Sequence, residues 1–292
     1  MAARILVTGA TGNIGRAVVQ ELADRGVEFR VFTRDANKAS ALGVEAFEGD
    51  FGEAGSLAAA VRGVDAIFLN SSQHPEMARL QGNVSAAAAG AGVRHIVKVS
   101  GGTSVTGEDK ASWAGRAHRQ IERTIEDAGI GYTFLRPAYF MQNLLALAEP
   151  IRAGKLPVPL PDQRIAVVDA RDVGAAAAAI LVSPEEHRGR TYDLTGPESL
   201  SFVDIAERLS AVLGQDVQHV APPIDAAVES LRAKGAPDWL QQHLAEIMEI
   251  FAQDPSVAVV TDSVEQITGR PPRTLEAFLA DHATEFGVER VS

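Results

Sequence analysis

The chain has 292 residues, 27 basic against 38 acidic for a net charge of −11, and no cysteine. That length carries one large α/β domain or a domain with a smaller lobe; the charge argues against nucleic acid or an anionic membrane as partner; and the missing cysteines exclude disulfides, a thiolate nucleophile and a cysteine metal site. The scattered histidines show no metal-ligand spacing, no run approaches the ~20 apolar residues of a membrane helix, and the first strand starts too early for a signal peptide, so the expectation is a soluble cytoplasmic protein, monomer or homodimer, with a small-molecule ligand and no metal.

Ala3 to Val7 is an apolar run of strand length, and Ile14, Val18, Val19 and Leu22 follow at helical spacing. Between them lie Gly9, Thr11, Gly12, Asn13 and Gly15. A glycine turn between strand and helix lets the backbone approach a pyrophosphate, with free N–H groups and the positive end of the helix facing its charge. We read Gly9, Thr11, Gly12, Asn13, Ile14 and Gly15 as a dinucleotide site; a bare structural turn is the alternative.

Phe29 to Thr33 forms a second strand, ending at Arg34 and Asp35. An acidic residue at this place binds a ribose 2′-hydroxyl, whereas an arginine pairs with a 2′-phosphate. Arg34, with Lys38 a turn later, favours NADP(H) over NAD(H); a solvated surface arginine, partly neutralised by Asp35, is the alternative. Glu45 to Glu48 is a third strand, after which Asp50 and Phe51 either meet an adenine or form a plain turn. Leu57 to Val61 gives a short helix, and Ala66 to Leu69 a strand whose polar end, Asn70, Ser71 and Ser72, lies where ligands bind in open α/β sheets. Pro75 opens a helix through the alanine-rich tract to Ala91.

Ile96 to Val99 is the next strand, with Lys98 inside it. A lysine in a central strand is costly to bury unpaired, so it has a carboxylate partner, snorkels to an edge, or faces the site. Ala111 to Ala128 is a helix carrying Trp113, His118 and Glu122, and Tyr132 to Arg136 a further strand stopped by Pro137. Six strands alternating with five helices predict an α/β fold with a doubly wound parallel Rossmann sheet. The alternation then becomes irregular, predicting a smaller, mostly helical C-terminal lobe. Tyr139 to Ala153 reads as a helix with Phe140, Leu144 and Leu147 on one face, and Pro157, Pro159 and Pro161 punctuate a loop. Ile165 to Val168 and Thr191 to Leu194 read as strands; Asp169 with Asp172, and Ser201 with Asp204, read as helix starts. Residues 1–136, completed by 165–195, are expected to hold the dinucleotide, and 137–164 with 196–292 the substrate.

These features together resemble the atypical short-chain dehydrogenase/reductases of the NmrA-like group, which includes NADPH-dependent quinone and triphenylmethane reductases as well as redox-sensing regulators. The resemblance covers nearly the whole chain. It rests on the spacing of Gly9, Gly12 and Gly15, on Thr33-Arg34, on Leu135-Arg136-Pro137 with Phe140-Met141-Gln142-Asn143, and on Leu194-Thr195-Gly196-Pro197. It implies that Thr11 to Gly15 hold the pyrophosphate, Arg34 the 2′-phosphate, Asp50 and Phe51 the adenine, and Asn70, Ser71 and Ser72 the ribose side. Pro137 then falls on the cofactor side, and Asn143 on the substrate side.

The catalytic pattern departs from the wider superfamily, whose extended members carry Tyr-x-x-x-Lys-x-x-x-Glu on the helix after the fifth strand. With Glu122 marking the register, His118 stands at the lysine place, Ala114 at the tyrosine place and Gly102 at the serine place. An acceptor that is already electrophilic, such as a quinone, imine or conjugated cation, needs little acid help. An unperturbed histidine gives or accepts a proton near neutrality, so His118 is either the proton donor or a structural helix histidine; Lys98, if it faces the site, is the second catalytic candidate. Trp113, Tyr139, Phe140 and Met141 either line an apolar pocket for an aromatic acceptor or belong to the core. The expected function is an NADPH-dependent reductase of a small electron-poor, aromatic or conjugated substrate. The alternative is a non-catalytic NADP(H) sensor that binds a protein.

Overall fold

A computed structural model describes residues 4–35, 37, 43–107 and 112–288; Ala3, Lys38 and Ala111 of the expectations above lie outside them. The central sheet has seven strands: β1 (Ile5–Thr8), β2 (Phe29–Thr33), β3 (Glu45–Glu48), β4 (Ala66–Leu69), β5 (His95–Val99), β6 (Gly131–Pro137) and, after three short strands described below, β10 (Arg190–Leu194). Their order is β10-β6-β5-β4-β1-β2-β3, and every pairing in the sheet is parallel. The chain therefore winds outward from β1 in one direction and from β4 in the other. The crevice at that reversal, outside the carboxyl ends of β1 and β4, is where open α/β sheets bind ligands.

Alternation along each strand sends successive side chains to opposite faces. Ile5, Val7, Val31, Phe68, Val97 and Leu135 face the helices Asn13–Asp24 and Ala170–Val182, while Leu6, Phe32, Ile67, Ile96 and Phe134 face Met77–Ala91 and Trp113–Asp127. Helices Asn13–Asp24 and Ala170–Val182 approach so closely that a Cβ on Gly174 would lie 2.4 Å from that of Ala17. This packing holds the N-terminus of the first helix over the switch point.

A second core gathers Met141, Leu156, Ile165, Val167, Phe202, Ile205, Leu209 and Phe278. It is built on a three-stranded sheet of β7 (Tyr139–Phe140), β9 (Arg164–Val168) and β11 (Ser199–Ser201), beside the pair β8 (Lys155–Pro157) and β12 (Gln218–Val220). Strand β9 serves both cores, with Ile165 and Val167 turned to the second and Val168 to the first.

Most elements start and stop within a few residues of the expected places. Tyr139 to Ala153 does not form one helix: Tyr139 and Phe140 pair with Val167 and Val168, Met141–Leu147 is 3₁₀, and only Ala148–Arg152 is α-helical. The helix expected from Pro75 begins at Met77. Ser201 and Asp204 form a reciprocal capping box. Asp169 caps its helix through the N–H of Arg171, but Asp172 accepts from the backbone N–H of Arg273 at 2.8 Å and so ties that helix to the C-terminal segment.

Candidate active site

The carboxyl ends of β1 to β6 and β10 open on a single cavity of about 2210 Å³. Pockets for one drug-sized ligand run to roughly 300–1,000 Å³, so there is room for a dinucleotide together with an acceptor. Gly9, Thr11, Gly12, Asn13, Ile14, Arg34, Asp50, Phe51, Asn70, Ser71, Ser72, Pro137, Tyr139, Phe140, Asn143 and His118 all line it. Gly15 stands just behind that lining, and neither Trp113 nor Lys98 reaches it.

The three glycines of the turn do different work. Gly9 has φ +64°, and a Cβ there would sit 2.8 Å from Asn70 O, so it permits β1 and β4 to meet at the switch point. A Cβ on Gly15 would fall 2.1 Å from Gly9 O, inside the turn itself. At Gly12 the nearest atom to an added Cβ is Gly9 O at 3.4 Å, and the space beside it belongs to the cavity. Helix Asn13–Asp24 begins at Gly12 with no side-chain cap and no acidic residue in its first turn. Its positive end is thus left for an anion, which fits a pyrophosphate.

Thr8 Oγ1 donates to Phe68 O at 2.9 Å and accepts from Asn70 N–H at 2.9 Å, fixing the end of β4 beside β1. Asp50 Oδ1 accepts from Gly52 N–H at 2.7 Å, and Phe51 stacks on Phe32 with centroids 5.8 Å apart. Arg34 is exposed and has no ion pair among the described residues, while Asp35 Oδ1 accepts from Asn37 N–H at 3.1 Å.

Beyond the nucleotide region the polar chemistry concentrates around a carboxylate. Glu122 is 0% exposed and holds four contacts: Ser100 Oγ donates to Oε1 at 2.7 Å, Arg136 reaches both oxygens at 3.2 and 2.8 Å, and Arg119 reaches Oε2 at 3.0 Å. Burial pushes its pKa up, but the hydrogen bonds from Arg136 and Ser100 outweigh burial and hold it below the usual range. Arg136 also donates to Thr103 Oγ1, which donates in turn to Asp193 Oδ1 at 2.7 Å, so the loop after β5 is fastened to β6 and β10.

Lys98 is completely buried in β5. Its Nζ donates to Val99 O at 3.0 Å and lies 3.0 Å from His118 Nδ1. The lysine therefore neither reaches an edge nor makes direct contact with a carboxylate; it meets the cavity through His118. Burial, with help from Arg136 and against the pull of Glu122, brings Lys98 down to about 7. Burial, then Lys98, His243 and Arg136, hold His118 well below its ordinary value, so His118 is neutral and the shared proton resides on Lys98.

Tyr139 lines the cavity, and its hydroxyl is pushed up to about 12 by burial, only partly offset by Asn143. With the lysine engaged elsewhere, it stays protonated. Trp113 packs edge-on against Trp239 and His243 at 5.9 and 5.8 Å, and so supports the cavity wall from behind. The sequence did not single out Ser100, Thr103 or His243 as site residues, and it used Glu122 and Arg136 only as motif markers. Their partners come from separate strands and helices, so no local spacing announces them.

The chain belongs to the NmrA-like family, whose model matches residues 1–279. It is 36% identical over 287 residues to the NAD(P)H azoreductase of Xenophilus azovorans, covering 97% of this chain and 99% of that one. It is 39% identical over 292 residues to the (4-alkanoyl-5-oxo-2,5-dihydrofuran-3-yl)methyl phosphate reductase of Streptomyces griseus, covering 98% and 100%. A solved structure, the NADPH-dependent quinone oxidoreductase of Escherichia coli complexed with NADPH, superimposes with a TM-score of 0.86 at 28% identity, over 96% of this chain and 99% of that one.

The geometry of the turn separates fold from ligand. Gly12→Ala is expected to leave the thermal midpoint nearly unchanged while weakening dinucleotide binding ~10-fold or more, because the methyl enters open cavity. Gly15→Ala drives a methyl into the backbone and should cost roughly 1–3 kcal/mol of stability. Thermal melts with and without dinucleotide check both; equal melting losses for the two variants would contradict the assignment.

Proposed function

We propose that this member of the NmrA-like family reduces a small electron-poor acceptor, aromatic or conjugated and of the quinone, imine or enone type, using NADP(H) in preference to NAD(H) and no tyrosine-lysine pair. The chain is an NAD(P)H-dependent oxidoreductase, in keeping with the reductases it is similar to over its whole length. The observation that carries the finer reading is the Lys98–His118 pair, a buried proton source whose outer member lines the cavity.

In this reading, residues 1–136 with 165–195 hold the dinucleotide, and 137–164 with 196–292 shape the acceptor site. The turn from Thr11 to Gly15 would hold the pyrophosphate, Arg34 the 2′-phosphate, Asp50 and Phe51 the adenine, Asn70 to Ser72 the ribose side, and Pro137 the cofactor at the end of β6. When bound, the reduced dinucleotide supplies the hydride. Tyr139, Phe140 and Asn143, which line the cavity, would contact the acceptor.

His118 accepts at Nδ1 from the Lys98 ammonium, which leaves its own N–H at Nε2. As Nε2–H passes its proton to the reduced acceptor, Nδ1 takes one from Lys98, and the imidazole never has to carry a charge that burial disfavours. Water in the cavity then returns a proton to Nε2 while Nδ1 gives its own back to Lys98, which restores the buried pair. A non-catalytic sensor has no need of such a pair.

Three outcomes test this. NADPH oxidation should be seen with at least one quinone, imine or enone above the uncatalysed rate; tight NADPH binding with no turnover across the panel would leave the sensor. Arg34→Ala should weaken NADPH binding ~10-fold or more and NADH binding little, since one charge-assisted contact is worth roughly 1.5–3 kcal/mol; equal losses, read by fluorescence titration, would remove Arg34 from the phosphate. Because Lys98 is protonated below about 7 and neutral above it, kcat should fall as pH rises through that value. Lys98→Met should lower kcat ~10²-fold and abolish that limb without changing cofactor affinity; an unaltered pH profile would refute the relay.

A further inference from the structure

His243, on helix Asp238–Gln253, lines the same cavity as His118. Its Nδ1 is sealed from solvent and has no hydrogen-bond partner. Its Nε2 makes no hydrogen bond among the described residues either, yet it is not sealed, which leaves it as the ring nitrogen able to reach the cavity that His243 lines. A buried N–H with no acceptor is rarer and costlier than a bare ring lone pair; the proton of neutral His243 therefore sits on Nε2. The same tautomer holds in His118, whose Nδ1 faces the Lys98 ammonium.

The two rings are held in fixed relation. The backbone N–H of Trp113 donates to Glu246 Oε2 at 2.6 Å, one turn beyond His243, and the Trp113 ring meets His243 edge-on at 5.8 Å. Helix Asp238–Gln253 is thereby fastened to the start of the helix that bears His118. Leu240, Leu244, Ile247 and Phe251 make the adjoining wall apolar, which strengthens any interaction with charge inside.

We infer that the Nε2–H groups of His118 and His243 form a two-donor clamp for the oxygen of a conjugated carbonyl acceptor, and that His243 is a substrate-contacting residue. The inference rests on the reductase reading and narrows its substrate class to acceptors on which negative charge develops at oxygen. In an enone, a C–H bond forms at the β-carbon with a hydride whose two electrons come from the reduced nicotinamide. The C=C π bond breaks and its pair spreads onto oxygen, giving an enolate. The enolate oxygen then takes the His118 Nε2 proton while Nδ1 takes one from Lys98, and the enol tautomerises to the ketone in water. One proton from water, entering at Nε2 as Nδ1 returns its proton, restores Lys98 and the His118 tautomer. The acceptor is reduced by two electrons, the dinucleotide is oxidised, and His243 keeps its proton throughout. A cationic acceptor is neutralised by hydride and develops no anion, so it has no use for the clamp.

The test uses the full chain with NADP⁺ or NADPH. His243→Phe keeps a ring against Trp113 but removes the N–H, and His243→Gln keeps a donor. Binding of 4-nitrophenolate to the NADP⁺ complex should weaken ~10-fold in His243→Phe and recover in His243→Gln, while nitrobenzene binds all three alike. Turnover of a quinone or enone should fall ~10²-fold in His243→Phe, with that of a cationic triarylmethane dye unchanged. Equal losses for neutral and cationic acceptors, or unaltered nitrophenolate binding, would overturn the clamp. Failure of the wild-type chain to turn over any acceptor would overturn the reductase reading instead, and nitrophenolate binding would still decide the clamp.

Discussion

The polar half of this molecule depends on one carboxylate. Glu122 lies wholly out of water, and its two oxygens are shared among a serine after β5, an arginine on its own helix and an arginine at the end of β6. A buried charge so placed is tolerated only because every contact is made; removing one partner of such a set typically costs ~3–5 kcal/mol. The same negative charge opposes the tendency of Lys98 to lose its proton on burial. Without it, burial would bring the lysine behind His118 lower still. A structural ion cluster and the proposed proton source are thus one arrangement viewed from two sides.

Position follows from packing in the same way. The close contact between the helices Asn13–Asp24 and Ala170–Val182 sets the first helix over the sheet, and β9 turns alternate residues to two separate cores. The side of the cavity lined by Tyr139 and Phe140 is consequently not hung from the Rossmann sheet by a linker. Tyr139 and Phe140, which line the cavity, are strand residues paired with Val167 and Val168, so the wall of the site is part of the join between the cores.

Much of this was legible in the amino-acid order, and what was not has a common cause. The strands of the central sheet are short apolar runs bounded by glycine or polar residues, and they announce themselves locally. The glycine turn does so as well, since a strand, three glycines and a helix start are contiguous. Tyr139 to Ala153 misled because Phe140, Leu144 and Leu147 have helical spacing, whereas the pairing that pulls Tyr139 and Phe140 into a strand comes from β9. Strands β8 and β12 were invisible for the same reason: among the described residues each pairs only with the other. Lys98 was recognised as anomalous, but its partner lay on a different element, and His243 lay far down the chain on a helix with no distinguishing pattern.

The complete burial of Lys98 has a chemical corollary. A lysine near its midpoint at neutral pH is half free amine, and a free amine adds readily to quinones and enones. Behind His118, with no surface on the cavity, this nitrogen is shielded from carbon electrophiles while remaining connected by a hydrogen bond. Protons can cross the imidazole; carbon cannot. Together with the absence of any cysteine, this leaves a cavity wall whose proton supply is screened from alkylation by the compounds it would serve.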